Sequence, residues 1–240
     1  MKQEPCNKES LHRHLHLLLV RHFGISLSKE YAVKFLDCGT VPLGIYPVVD
    51  SVDKLEPLYE AGISTAQLRV KNIPMLDVEH QIVKAIEVSQ KFGARLFVND
   101  YWKLAIKHNA YGIHLGQEDI LEADMEAIYN AGIRLGISTH TTAEIDIALN
   151  IEPSYLAIGP IFETNSKKMV YNPVGIEDLK KWSRNLDYPI VAIGGINLET
   201  IEAVVQTKSA NGIAMIAGVL EKGIVSGAKV KKLISIFNKA

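Results

Sequence analysis

The stretch LFVNDYWKLAIKHNAYGIHLGQED, residues 96–119, decides the fold. Two short apolar runs, Leu96–Val98 and Gly112–Leu115, each give way to polar residues. The first stops at Asn99-Asp100 and the second just before Gln117-Glu118-Asp119. One helix-sized segment lies between them. The pattern is a strand–helix–strand unit with a carboxylate just past the end of each strand. Parallel strands joined by a helix put both of those ends on one side of a sheet. Asp100 and Asp119 are thereby brought within reach of each other, and paired carboxylates suit a hard cation such as magnesium. Taken singly, each would serve as a helix cap.

The same rhythm extends both ways along the chain. Upstream, Ile45–Val49 and Thr65–Val70 read as strands, and a long helix runs from Met75 to about Phe92. The third and fourth strands are Arg95–Val98 and Gly112–Leu115, followed by a helix over about Leu121 to Asn130. Downstream come strands at Arg134–Ile137, Tyr155–Ile158, Ile190–Ile193 and Gly212–Ile216. Thr142 is placed to cap the helix after the fifth strand. Further helices are expected near Ile176–Trp182, from Leu198, and toward the C-terminus with a break at Gly223–Gly227. The strands are apolar without strict alternation, as strands covered on both faces must be. Eight βα units in roughly 195 residues predict a (β/α)8 TIM barrel, with a doubly wound open sheet as the rival.

Residues 1–41 differ from this pattern and read as an N-terminal extension, partly helical or disordered, ahead of a catalytic domain over 42–240. His12 and His16 are spaced to share a metal on a helix, although a solvated helix face explains them as well. The formal net charge of −1 gives no bulk attraction for nucleic acid or an anionic membrane. No apolar run approaches the roughly 20 residues of a membrane span. Two cysteines, Cys6 and Cys38, lack metal-ligand spacing and fit a reducing, cytoplasmic setting. Homo-oligomerisation is left open.

Polar residues collect at the predicted strand ends. They are Gln67, Arg69 and Lys71, then Asn99 and Asp100, His114 and Asp119, and Ser138. Thr164, Ser166 and Lys167 follow in the loop after strand six, and Gly194-Gly195 ends strand seven. A barrel gathers these ends on its catalytic face. Arg69, Lys71 and Lys167 around a carboxylate-held magnesium describe a polyphosphate site. Gly194-Gly195 ahead of a helix, and Ile216-Ala217-Gly218 where a short helix is expected, describe a second anion site made of backbone N–H groups. The loop Phe162–Pro173 is long for a βα connection and is expected to close over bound ligands. Blander readings stand beside these: Arg69 and Lys71 as rim charges, Gly194-Gly195 as a tight turn, and His114 as a hydrogen-bonded core residue.

In order, the blocks YPVVDS (46–51), QLRVK (67–71), residues 96–119, GISTHT (136–141), GPIFET (159–164) and AIGGI (192–196) resemble the thiamine-phosphate synthase family. The resemblance covers about Gly44 to Ala217. It implies a (β/α)8 barrel that joins a hydroxymethylpyrimidine diphosphate to a thiazole phosphate, or its carboxylated form, and releases pyrophosphate. By resemblance Asp100 and Asp119 hold Mg²⁺, while Arg69, Lys71, Asn99 and Lys167 hold the diphosphate. Gln67 contacts the pyrimidine and Ser138 lies near the reacting carbon. Thr164, Ser166, Gly195 and the backbone at Ile216-Ala217 bind the thiazole phosphate. Ala217 stands where the family often has serine, Glu163 replaces a frequent proline, and Ser166 replaces a frequent threonine. A thiazole tautomerase-like isomerase, or a non-catalytic thiamine-phosphate-binding paralogue, would need only part of this set.

Overall fold

The computed structural model describes residues 34–164 and 171–239. Its sheet is a closed barrel of parallel strands in sequence order. The strands are β1 (Gly44–Val49), β2 (Thr65–Leu68), β3 (Arg95–Asn99), β4 (Gly112–Leu115), β5 (Arg134–Thr139), β6 (Tyr155–Ile158), β7 (Ile190–Ile193) and β8 (Gly212–Met215). β8 pairs with β1 through Gly44↔Gly212 to Pro47↔Met215 and closes the ring. The open-sheet alternative is thereby excluded. The helices are α1 (Leu55–Glu60), α2 (Met75–Lys91), α3 (Trp102–Lys107), α4 (Met125–Asn130), α5 (Thr142–Leu149), α6 (Gly175–Ser183), α7 (Ile201–Val205) and α8 (Gly227–Phe237).

Two apolar layers hold the barrel together. The larger packs helix faces onto the outside of the strands, with Val78, Ile82 and Ile86 of α2 on one side and Leu68, Leu96 and Val98 on the other. That spacing is the helical apolar stripe the sequence shows. The smaller layer lies inside the ring and is dominated by Tyr46, Phe97 and Tyr155. Phe97 and Tyr155 meet edge-on with centroids 5.1 Å apart. Room for these rings comes from glycines on neighbouring strands. A Cβ at Gly136 would lie 2.1 Å from the Tyr155 ring, and one at Gly112 would lie 2.4 Å from Phe97. Gly136→Ala is therefore expected to destabilise the barrel by about 3 kcal/mol through overpacking. Thermal melting should show a fall of about 6–12 °C.

Residues 34–41, read with the extension from sequence, and residues 42–43 after them cover the N-terminal end of the barrel. Arg95 donates from its guanidinium to the carbonyls of Cys38, Val41 and Pro42. Arg134 Nε donates to Asp37 O at 2.7 Å. Cys38 and Leu43 are buried against the inner layer. His12 and His16 lie outside the described residues.

Several local expectations are corrected. Thr141, not Thr142, caps α5: its backbone is extended and its hydroxyl accepts from Glu144 N. The segment after β4 is broken, with a 3-10 turn at Asp119–Leu121 and α4 starting after the Asp124 cap. Asn197 Oδ1 accepts from the N–H groups of Glu199 and Thr200, and this local turn delays α7 to Ile201. No helix begins at Ile216-Ala217-Gly218. A turn there leads into a hairpin of β9 (Leu220–Glu221) and β10 (Ile224–Val225) before α8.

Candidate active site

The C-terminal ends of β2, β3 and β4 bring together one half of the predicted set. Gln67, the third residue of β2, is buried, and Asn99 ends β3 almost as deeply. Arg69 follows β2, with its backbone N–H on Val49 O and its side chain half-buried. Lys71 reaches across to form an ion pair with Asp100. Asp100 sits at φ +64°, a left-handed conformation that Asp tolerates better than most residues. Its N–H donates to His114 O on β4 at 3.0 Å, which fixes the turn.

Asp119 comes in from the 3-10 turn beyond β4. Its Oδ2 accepts from Gly116 N at 3.0 Å. Asp100 and Asp119 lie close enough to share a hydrogen bond between their carboxyls. Burial raises the Asp119 pKa, the Asp100 charge raises it further, and the Gly116 N–H and Lys71 pull the other way. Two oxygen-donor carboxylates held together at such a cost fit a hard divalent cation. Among the described residues no group of three or more His, Cys, Asp or Glu side chains surrounds them.

A pH dependence follows from this pair. Without metal, Asp119 is a weaker acid in the folded than in the unfolded chain. The fold therefore loses stability as pH rises from the unfolded value through the folded one. Asp119→Asn keeps an acceptor for Gly116 and removes that loss. Scanning fluorimetry of metal-free protein should place the variant about 1–3 °C above the parent at pH 8, with the gap closing toward pH 4. Added Mg²⁺ should stabilise the parent and not the variant.

The other half lies across the same face. A cavity of about 370 Å³ is lined by Ser138, Thr164, Gly194, Gly195, Ile216 and Ala217. Gly194 and Gly195 adopt φ +101° and +68°, and a Cβ on either would strike the chain at Pro160 or Phe162–Glu163. The two glycines thus let the β7 loop pack against the loop after β6. α7 starts six residues beyond Gly195, so turn amides rather than a helix N-terminus border the cavity there. Ser166 and Lys167 lie outside the described residues. A larger recess, about 710 Å³, is formed by the loops leading into β7 and β8, at the opposite end of the barrel, and contains none of the predicted residues.

Three features of the cavity escaped the sequence reading. His140 lines it, with ring Nδ1 and backbone N both on Glu144 Oε2. Glu144 is fully buried and also accepts from Tyr171 Oη at 2.9 Å, while the Tyr171 ring stacks on His140 at 4.5 Å. Burial alone would raise Glu144, but the His140 and Tyr171 contacts outweigh it and hold its pKa low. The i, i+4 spacing of His140 and Glu144 was the available signal. Lys229 reaches the cavity from α8, so a survey of strand ends could not find it. Gln117 Nε2 donates to Ser138 O at 2.7 Å and braces β5 from the β4 loop.

The thiamine monophosphate synthase family profile matches residues 45–219. Among curated relatives, thiamine-phosphate synthase of Enterobacter sp. (strain 638) is 51% identical over 180 residues, covering 75% of this chain and 85% of its own. That of Citrobacter koseri is 52% identical over 178 residues, covering 74% and 84%. The solved thiamine phosphate pyrophosphorylase of Pyrococcus furiosus superposes with a TM-score of 0.72 at 27% identity, over 82% of this chain and 96% of that one. N-(5'-phosphoribosyl)anthranilate isomerase from Pyrococcus furiosus, at 14% identity and a TM-score of 0.60, shares the fold. No described helix is long and apolar enough to cross a membrane.

Proposed function

The chain belongs to the thiamine monophosphate synthase family, and we propose how its barrel face carries out thiamine-phosphate synthesis, a transferase reaction. The substrates are an aminopyrimidine methyl diphosphate and a thiazole phosphate, with or without a carboxylate. The products are thiamine phosphate and pyrophosphate. One observation carries the division of labour. The Asp100–Asp119 pair with Lys71 stands on the same barrel face as the cavity under Gly194-Gly195.

In this reading Asp100 and Asp119 hold Mg²⁺, which when bound neutralises charge on the departing diphosphate. Lys71 shares the Asp100 charge and is placed to move onto a phosphate oxygen when the substrate arrives. Arg69 forks diphosphate oxygens, Asn99 donates to them, and Lys167 adds a point charge. Gln67 contacts the pyrimidine edge. Thr164, Ser166, Gly195 and the backbone N–H groups of Ile216 and Ala217 hold the thiazole phosphate. A contact through the N–H of Ala217 does not depend on the serine often found there.

The aminopyrimidine can feed electron density to its CH₂ carbon. The C–O bond to diphosphate breaks first, the carbon becomes cationic, and the thiazole nitrogen then forms the new C–N bond. No strong general base is needed. Catalysis consists of stabilising the leaving group and aligning the nucleophile near Ser138. A cytoplasmic setting fits Cys38, a buried free thiol that burial pushes up to about 11.

Product inhibition tests the two-half arrangement. Pyrophosphate with Mg²⁺ should compete with the pyrimidine diphosphate and not with the thiazole phosphate. Inorganic phosphate should favour competition with the thiazole phosphate. Competition of pyrophosphate against the thiazole phosphate alone would overturn the assignment of the halves.

A further inference from the structure

Beneath Ser138 runs a buried chain of polar side chains, of which the reaction as described uses Gln67 and gives Tyr46, Tyr155 and His114 no role. Gln67 Nε2 makes a long 3.5 Å contact to Tyr46 Oη. Tyr46 Oη lies 2.9 Å from Tyr155 Oη. Tyr155 Oη lies 2.7 Å from His114 Nδ1. His114 Nε2 lies 2.7 Å from Ser138 Oγ. The chain crosses the barrel interior from β2 and β1 through β6 to β4 and β5. Tyr46 and Tyr155 are fully buried, and burial pushes both phenols far above their ordinary range, so each keeps its proton.

Counting protons gives the chain a direction. An amide nitrogen only donates, so Gln67 offers Tyr46 no acceptor at that contact. Among the described residues, the acceptor in reach of the Tyr46 proton is Tyr155 Oη. Tyr155 accepts there and has one proton left, which goes to His114 Nδ1. A ring nitrogen that accepts carries no proton, so the proton of the neutral imidazole sits on Nε2 and is donated to Ser138 Oγ. The Ser138 proton is then not used in the contact to His114. Ser138 lines the cavity, so its O–H is free to point there. With the opposite direction, Tyr155 would donate to Tyr46 and leave the Tyr46 proton buried without an acceptor among these groups, which is costly for a hydroxyl cut off from water.

We propose that Tyr46, Tyr155 and His114 are positioning residues that lock His114 as its Nε2–H tautomer and turn the Ser138 hydroxyl into a hydrogen-bond donor toward bound substrate. A donor at that point serves the oxygen of the diphosphate as it gains negative charge. Such a donor in a dry, preorganised site acts without reorganising during the reaction. The proposal rests on the placement of Ser138 beside the reacting carbon.

The test begins on the unsubstituted chain labelled with ¹⁵N-histidine, with the His114 resonances identified by their loss in His114→Asn. The expected spectrum has an unprotonated Nδ1 and a protonated Nε2 without any substrate. A protonated Nδ1 would overturn the proposal, whatever the enzyme turns over. The second arm uses Tyr155→Phe, which should lower kcat about tenfold while both KM values stay within about twofold. In a Ser138→Ala background the same change should alter kcat by less than about twofold, because the route to the hydroxyl is already gone. An undiminished tenfold loss there would make the effect merely structural and sink the positioning role. Absence of thiamine phosphate with the unsubstituted chain would instead contradict the synthase reading and leave the tautomer result standing by itself.

Discussion

Asp100→Asn is expected to lower pyrophosphate release by about 10²–10³-fold, with melting temperature within about 2 °C of the parent. Asparagine is chosen because Asp100 sits at φ +64°. Among non-glycine residues, Asn and Asp are the ones that most readily accept that region, so the backbone turn survives. The N–H of residue 100 still donates to His114 O, and the side chain still offers one oxygen. What disappears is the negative charge that faces Asp119 and pairs with Lys71. The proposed metal site then loses one of its two anionic ligands, and Lys71 loses its resting partner. Alanine would mix that loss with backbone strain and is the poorer test. A variant that released pyrophosphate at the parent rate in Mg²⁺ would remove Asp100 from the leaving-group machinery.

Gly195→Ala should act on the other substrate. A Cβ there would lie 2.5 Å from Glu163 O and 2.7 Å from Phe162 Cβ, and φ is +68°. Both the chain after β6 and the β7 turn must shift, and with them the amides proposed to hold phosphate. Loss of one or two charge-assisted hydrogen bonds is worth about 2–3 kcal/mol, so KM for the thiazole phosphate should rise roughly 30–150-fold. KM for the pyrimidine diphosphate should change less than about threefold, since the Asp100–Asp119 half lies beyond the ends of β3 and β4. Steady-state kinetics with each substrate varied in turn distinguishes the two. Equal increases in both constants would show that the halves are not separable.

The barrel was legible because buried parallel strands leave a plain mark. Runs such as Ile190–Ile193 are apolar on both faces, and each stops at a polar or glycine residue. The Asp100–Asp119 pair was legible for the same topological reason, and the structure places the two carboxyls side by side. Local detail was harder. Thr141 and Thr142 are equally good caps by type, and the extended backbone at Thr141 decides between them. The turn at Ile216–Gly218 reads as a helix start only if the hairpin that follows is unseen. Contacts made across the barrel had no mark at all. Tyr155, His114 and Ser138 meet because β4, β5 and β6 are neighbours with a particular stagger, in which Gly136 faces Tyr155 and leaves space for its ring. Taken alone, His114 was best read as a satisfied core residue, and the structure gives it partners on both ring nitrogens.

One assay tests synthase activity and its metal dependence together. Purified chain is mixed with the pyrimidine diphosphate and the thiazole phosphate, and thiamine phosphate and pyrophosphate are both quantified across a Mg²⁺ titration. The expected result is equimolar appearance of the two products, rising with Mg²⁺ and abolished by a chelator. Pyrophosphate without thiamine phosphate, or product formation indifferent to chelation, would contradict it.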